Sequence, residues 1–455
     1  MVGTGLNLEL DVQPADLRPS VQVDYASRAI SAFTTSPLFR AGEWDENVSA
    51  GLLEAAEPAE GGRVWRLEPR ADAIWSSGRR MSVGEMAQGL TEAASEPLGQ
   101  SIRSAIREVA VEAGSIVVKL DRPIGCFRAM LAADAFSPRG SNNRGEQETS
   151  GPYSLKGALD RRSFGLSRNA VGVQTWPDGP EAIIFVVSDD PGQGVRLFER
   201  GLLDVTSNPN LPVESVDKYK GSNALRQRDL LLAGVLFPSN ELRLPAARDL
   251  RCGLYWAISR EAIAAASNGA LSPLYGLVDL WSPESSSNTS VARPAVRCGR
   301  DRPLTIAYAD FTPNGDVVRR IAEDAMDALD VSVVIKPLPY EQYLSCLAAQ
   351  DSDFIYSLIQ PPFNDPASLL PGLARFGSLE DPAALHSIHR AEAVSDPHER
   401  LEASHEAARH LMQDVPIIPV VRAHSRCLVS DRARSLVLGA DGVFRPPMVS
   451  PGASI

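Results

Sequence analysis

His386, His389 and Glu392 follow one another at i, i+3 and i+6, a spacing that could build a metal site. Imidazole nitrogen and carboxylate oxygen are ligands that zinc and related ions accept, and residues three apart on a helix are neighbours. The same stretch, Leu385-His-Ser-Ile-His-Arg-Ala-Glu, also reads as an amphipathic surface helix. Solvated histidines are the reading adopted here, so neither a metal nor a cofactor is assigned. His405 and His410, on the last long helix, are read in the same way. The sequence has no glycine-rich phosphate loop, no nucleophile elbow and no HExxH. No catalytic residue is assigned, and the chain is read as a binder rather than an enzyme.

Aromatic and amide side chains make the stronger case. Trp44, Trp176, Phe237, Tyr356 and Phe363 stand at loops or strand ends, where an aromatic ring can face a ligand, although core packing explains any one of them as well. Asn240, Gln360 and Asn364 are the candidate polar contacts, and Asp365 completes the set. The place of Asp365 before Pro366 is equally that of a turn residue.

Alternation and helical periodicity give the elements that must position these residues. Leu6 to Val12 alternates as a half-buried strand, Val64 to Pro69 is a strand, and a helix follows from a cap at Ser82. Ile116–Leu120, Ala182–Ser188 and Leu230–Phe237 are further strands, and Gly192–Arg200 is a helix stopped by Gly201. Arg139 to Pro152 is turn-rich and marks a subdomain edge, whereas Arg248–Ala266 has helical periodicity throughout. From Arg302 the pattern becomes strand Leu304–Tyr308, helix Asp316–Leu329, strand Val331–Pro337 and helix Tyr340–Ala349, which predicts parallel strands covered by helices. Helix Glu399–Gln413 is broken by Pro416, and strand Ile417–Val421 has its natural partners much earlier in the chain.

Composition narrows the class. A chain of 455 residues exceeds the size at which one core stops growing, so two or more lobes are expected. The net charge of −12 leaves no surface for neutralising phosphates, which excludes nucleic acid and favours a neutral or cationic ligand. Five widely spaced cysteines (Cys126, Cys252, Cys298, Cys346, Cys427) without a CxxC pair read as small core hydrophobes. No apolar run reaches the roughly 18 residues of a transmembrane segment. The first residues, Met-Val-Gly-Thr-Gly-Leu, show no basic region and no lipobox, so the expectation is either a trimmed export signal or a cytoplasmic chain.

Read in order, several segments resemble the family 5 extracellular solute-binding proteins, which serve oligopeptide, dipeptide and nickel ABC importers. Trp75-Ser-Ser-Gly-Arg-Arg-Met-Ser-Val-Gly-Glu-Met resembles the family's W-x-D-G signature, with Ser77 where an acid is usual. Thr149-Ser-Gly-Pro-Tyr is similar to its G-T-G-P-Y turn, Leu166-Ser-Arg-Asn to L-x-R-N, and Phe198-Glu-Arg-Gly-Leu-Leu-Asp to a helix end leading into a strand. Arg248-Asp-Leu-Arg-Cys-Gly-Leu-Tyr-Trp-Ala-Ile-Ser-Arg-Glu-Ala-Ile matches most fully, and Val415-Pro-Ile-Ile-Pro-Val resembles the closing strand.

The resemblance implies an α/β, two-lobed periplasmic-binding-protein type II fold with mixed sheets and an extra N-terminal subdomain. Lobe I would take 1–30, 150–235 and 418–455, the inserted subdomain 31–149, and lobe II 236–417. Leu232–Asn240 and Pro416–Val421 would be the crossings that act as a hinge. A small polar organic or peptide-like ligand would lie in the cleft, with an ABC permease as partner and an extracellular or membrane-tethered location. Family peptide binders hold the ligand's amine with an aspartate three residues before an Asp-Pro pair, a position that Pro362 occupies here. With the amine anchor absent, the alternative is a cytoplasmic protein of the same fold acting as an enzyme or carrier in a secondary-metabolite biosynthetic pathway.

Overall fold

The computed structural model describes residues 5–14, 24–40, 48–95, 105–141, 147–160, 162–188, 190–207, 211–282, 291–293, 302–376 and 382–447. They form two compact units. The first contains Met1–Arg228, Pro362–Asp365 and Ser425–Ile455, and the second Asp229–Pro361 and Pro366–His424.

The first unit is built on two cores. One lies on a four-stranded sheet in which Gly5–Leu10 pairs in parallel with Ala182–Val187, followed by Ser163–Arg168 and Tyr153–Asp160 antiparallel. Alternation makes Leu6, Leu8 and Leu10 inward-facing, and helix Tyr25–Thr34 packs on the same core. Asp24 starts that helix by accepting the Ser27 N–H at 2.8 Å. Phe33 fixes the packing, meeting the rings of Tyr153 and Phe185 edge-on at 5.9 Å each.

The turn Gly151-Pro-Tyr passes so close to this helix that a Cβ on Gly151 would lie 2.4 Å from backbone atoms of Thr34 and Thr35. We expect Gly151→Ala to lower the stability of this unit by about 2 kcal/mol, read as a shift in urea midpoint. An unchanged midpoint would show that the turn can yield.

The other core of this unit belongs to an antiparallel sheet in the order Leu53–Ala59, Val64–Pro69, Ser115–Leu120, Ile106–Glu112, covered by helix Val83–Ser95. Trp65, Trp75 and Phe127 fill it. Phe363 is part of the same core, carried there by the short excursion Pro362–Asp365.

The second unit is organised by a six-stranded mixed sheet in the order Leu271–Pro273, Ile418–Leu428, Leu225–Pro238, Phe354–Ile359, Leu304–Ala309, Val333–Leu338. Leu304–Ala309 is parallel to both neighbours and Leu225–Pro238 runs antiparallel to Phe354–Ile359. Helices Asn314–Leu329 and Tyr340–Ala349 make the crossovers that the sequence pattern predicts.

Three differences from the sequence reading have physical causes. Strand Leu225–Pro238 begins five residues before Leu230, because Arg226 and Arg228 satisfy carbonyls of Arg434, Leu436 and Leu438 rather than marking a loop. Strand Ile418–Leu428 likewise runs on through polar positions, paired in the same sheet beside Leu225–Pro238. The expected crossings Leu232–Asn240 and Pro416–Val421 therefore lie wholly inside the second unit, and the chain changes unit at 228/229 and 424/425, as well as at 361/362 and 365/366.

The stretch Arg248–Ala266 is two helices, Arg248–Ala257 and Arg260–Ala266, separated at Ile258 and Ser259. Arg260, 1% exposed, stabilises the break by donating to the carbonyls of Tyr255, Ile258, Leu274 and Pro419. Among the described residues Cys126, Cys252 and Cys427 are buried and outside any disulfide, in line with a packing role.

Candidate functional site

The proposed ligand contacts are spread over both units. In the first, Trp176 ends helix Ala170–Thr175 and is buried, with its ring edge-on to Tyr153 at 6.1 Å. Phe363 is buried in the subdomain core and Asp365 is 1% exposed, its N–H donating to the Phe363 carbonyl at 2.8 Å. Asn364 between them is half-buried. Trp44 lies outside the described residues.

In the second unit Phe237 and Tyr356 are buried side chains of the central strands. Tyr356 lies across Gly234 so closely that a Cβ there would meet its hydroxyl, and burial pushes that phenol's pKa up. These aromatics form core, which is the reading that strand position alone left open.

Asn240 and Gln360 are at opposite ends of the sheet. Pro238 pairs with Phe354 and Ala233 with Ile359, so Asn240 follows one end of this antiparallel pair and Gln360 the other. The hydrogen bond from Ser239 N–H to the Asp353 carbonyl, 2.8 Å, fixes the first of these positions. Six residues of strand, at about 3.3 Å each, put roughly 20 Å between the two ends.

The Gln360 end has the geometry of a binding edge. The parallel strands Leu304–Ala309 and Phe354–Ile359 both finish at this edge; Tyr308 pairs with Tyr356, so Ile359 ends two residues beyond the level of Ala309. The chain leaving Ala309 turns through helix Asn314–Leu329 towards the edge strand, while the chain leaving Ile359 runs out of the unit after Pro361. Diverging connections beyond the carboxyl ends of the strands are the arrangement at which ligands of open α/β sheets bind.

Sequence reasoning missed the residues this edge presents. Asp310 is exposed, Phe311 is 42% exposed, and Asn314 opens the 16-residue helix. Asn314 is 2% exposed; its Nδ2 donates to the Ala309 carbonyl at 3.0 Å, whereas its Oδ1 has no hydrogen-bond partner among the described residues. A carboxylate, a buried amide oxygen and the Gln360 amide together offer acceptors to an ammonium or amide ligand, with Phe311 as an apolar platform. The available signal was the turn run Asp310-Phe-Thr-Pro-Asn-Gly between a strand and a helix.

No family model matches the chain, and no curated protein matches its sequence. Solved structures match it along nearly its whole length. The Escherichia coli murein tripeptide binding protein MppA is similar with a TM-score of 0.76 at 16% identity, covering 97% of this chain and 96% of its own. Haemophilus influenzae OppA in complex with RPPGFSPFR gives 0.76 at 14% identity over 98% and 97%. AgaA from A. tumefaciens R10 in complex with agropinic acid gives 0.76 at 14% over 97% and 96%.

The chain has the two-lobed fold of periplasmic binding proteins. These three neighbours are family 5 solute-binding proteins, the family whose motifs the sequence resembles. Among the described residues no helix is long and apolar enough to cross a membrane.

In this fold His386, His389 and Glu392 do not share a face. His386 and His389 are exposed on helix Pro382–Ala393, but Glu392 is fully buried. Six residues advance a helix to a point about 120° from where they began, enough to turn the carboxylate inward. No group of three or more metal-binding side chains occurs among the described residues. His405 corrects the solvated reading: burial pushes its pKa down, and Nδ1 lies 3.8 Å from Asp279, whose carboxyl burial pushes up to about 6.

Proposed function

We propose that the chain is the solute-binding protein of an importer and that it binds a small polar organic solute at the sheet edge formed by Asp310, Phe311, Asn314 and Gln360. The observation that carries this reading is the pair of parallel strands that end at one edge of the sheet, at Ala309 and Ile359, with diverging connections, in a chain whose fold is that of known binding proteins.

The ligand class follows from the groups present. Pro362 stands where peptide-binding relatives place the aspartate for the ligand's amine, so Asp310 becomes the available exposed carboxylate at this edge. A ligand with an ammonium or amide donor and a modest apolar part fits these groups. Short peptides and opine-like amino acid conjugates belong to that class.

Native mass spectrometry of protein purified from its own organism should show a co-purifying small molecule. Calorimetry with that molecule, or with Ala-Ala-Ala and agropinic acid as first probes, then tests the edge. Asp310→Asn and Gln360→Ala should each weaken binding about tenfold, the loss of one buried or charge-assisted hydrogen bond. Asn240→Ala, at the other end of the sheet, should leave the affinity unchanged. Equal affinity in all three variants would remove the proposed site, and turnover of the bound molecule would remove the importer reading.

A further inference from the structure

Tyr308 stands one residue before the end of strand Leu304–Ala309, beside Tyr356 on one neighbouring strand and Pro337 on the other. The residue is 7% exposed: its ring is buried, while its hydroxyl keeps contact with solvent. That hydroxyl lies over the first turn of helix Asn314–Leu329, where a Cβ on Gly315 would come within 3.2 Å of the oxygen. Glycine is a weaker helix former than alanine, so its presence here costs some helix stability and leaves room at the phenol.

The hydroxyls of Tyr153, Tyr255, Tyr275 and Tyr343 donate to the Pro180 carbonyl, the Tyr275 carbonyl, Glu261 and Ser357. The Tyr308 hydroxyl makes no such bond among the described residues, so its oxygen keeps its lone pairs for an incoming donor. Burial first, and the charge of Asp310 second, push this phenol's pKa up, so it stays uncharged at neutral pH with the Asp310 carboxylate close enough to act on it. Arg319, whose charge opposes that shift, donates to Asp316 at 2.8 Å. Asp310 itself is exposed and has no ion-pair partner among the described residues. The edge thus offers one uncompensated negative charge and two acceptors, a carboxylate and a phenol oxygen.

We infer that Tyr308 sets the specificity of the proposed solute site: its phenol oxygen and the Asp310 carboxylate share one ammonium group of the ligand, which must carry at least two N–H donors. Primary and secondary amines meet that requirement, whereas a quaternary ammonium of the same charge does not. The inference rests on the reading of this edge as the solute site.

Calorimetry of the full chain with Ala-Ala-Ala and with the same peptide trimethylated at its amino nitrogen tests it, because the two probes differ in N–H donors and not in charge. The wild-type protein should bind the primary amine at least about tenfold more tightly. Tyr308→Phe removes the oxygen and keeps the buried ring, and it should cut that preference about threefold, the loss of one hydrogen bond open to solvent. Gly315→Ala, which leaves Tyr308 in place but crowds its hydroxyl, should cut the preference in the same direction. Asp310→Asn should weaken both peptides, since both carry the positive charge. Wild-type affinity of Asp310→Asn for both peptides would remove the solute site itself, as would no binding of either peptide to the wild-type protein. Weaker binding of both by Asp310→Asn, with the full preference kept by Tyr308→Phe, would leave the site and overturn the role of Tyr308. Equal binding of the two peptides by the wild-type protein would overturn that role as well.

Discussion

Arg260→Ala is expected to destabilise the second unit by about 3–5 kcal/mol, the largest single effect foreseen for this protein. The guanidinium is buried and donates to four carbonyl oxygens, two of them, Leu274 and Pro419, outside its own helix pair. It is also held between the rings of Tyr255 and Tyr275, whose centroids lie 4.4 and 4.8 Å away. Removing it leaves those carbonyls unsatisfied in a dry environment and opens a cavity between two aromatic faces. Arg260→Lys should recover little, because an ammonium can neither fork to these acceptors nor stack flat between the rings. Urea unfolding followed by tryptophan fluorescence reads the effect, and a loss below about 1 kcal/mol would show the carbonyls finding other partners.

Arg260 also shows what a motif can and cannot disclose. The segment Arg248 to Ile263 matches the family pattern most fully, yet its arginines serve structure. Arg251 donates to the carbonyls of Leu242, Leu244, Asp414 and Val415, tying the start of the helix pair to the turn before the last strand. Helical periodicity ran unbroken across Ile258 because apolar spacing does not record which carbonyls a distant guanidinium can take over.

Local order was legible where local physics decided it. Strand Val64–Pro69 and helix Tyr340–Ala349 have the bounds read from alternation and periodicity, since each is set by its own side chains. The candidate site was less legible. Asn240 and Gln360 both follow apolar strands in the sequence, and only the antiparallel register shows that they lie at opposite ends. Asp310 and Asn314 gain their significance from neighbouring strands that end at one edge of the sheet, a property of sheet order that a linear reading does not contain. His405 was misjudged because Asp279, 3.8 Å from its Nδ1, lies on a segment more than a hundred residues away.

Glu9→Gln should make the first unit more stable at pH 8 by about 3 kcal/mol and leave it nearly unchanged at pH 4.5. Glu9 lies on strand Gly5–Leu10, at one end of the four-stranded sheet, and is 5% exposed, packed against Gly194 so tightly that no Cβ would fit there. Burial raises its carboxyl from 4.5 to about 7, with the charges of Asp11 and Asp190 adding to the shift and the Ser207 N–H and Ser188 hydroxyl opposing it. A folded-state value above the unfolded one means that the native state holds the proton more tightly. The associated stability is therefore present below about pH 4.5, declines as pH rises towards 7, and is absent above that. Glutamine imitates the protonated form at every pH and can still accept the Ser207 N–H, which reaches Oε2 at 2.7 Å. The difference in urea stability between the two proteins should thus grow across this interval and level off above pH 7. A difference that stays constant with pH would mean that Glu9 keeps its charge in the folded state, with the Ser207 and Ser188 hydrogen bonds outweighing the cost of burial.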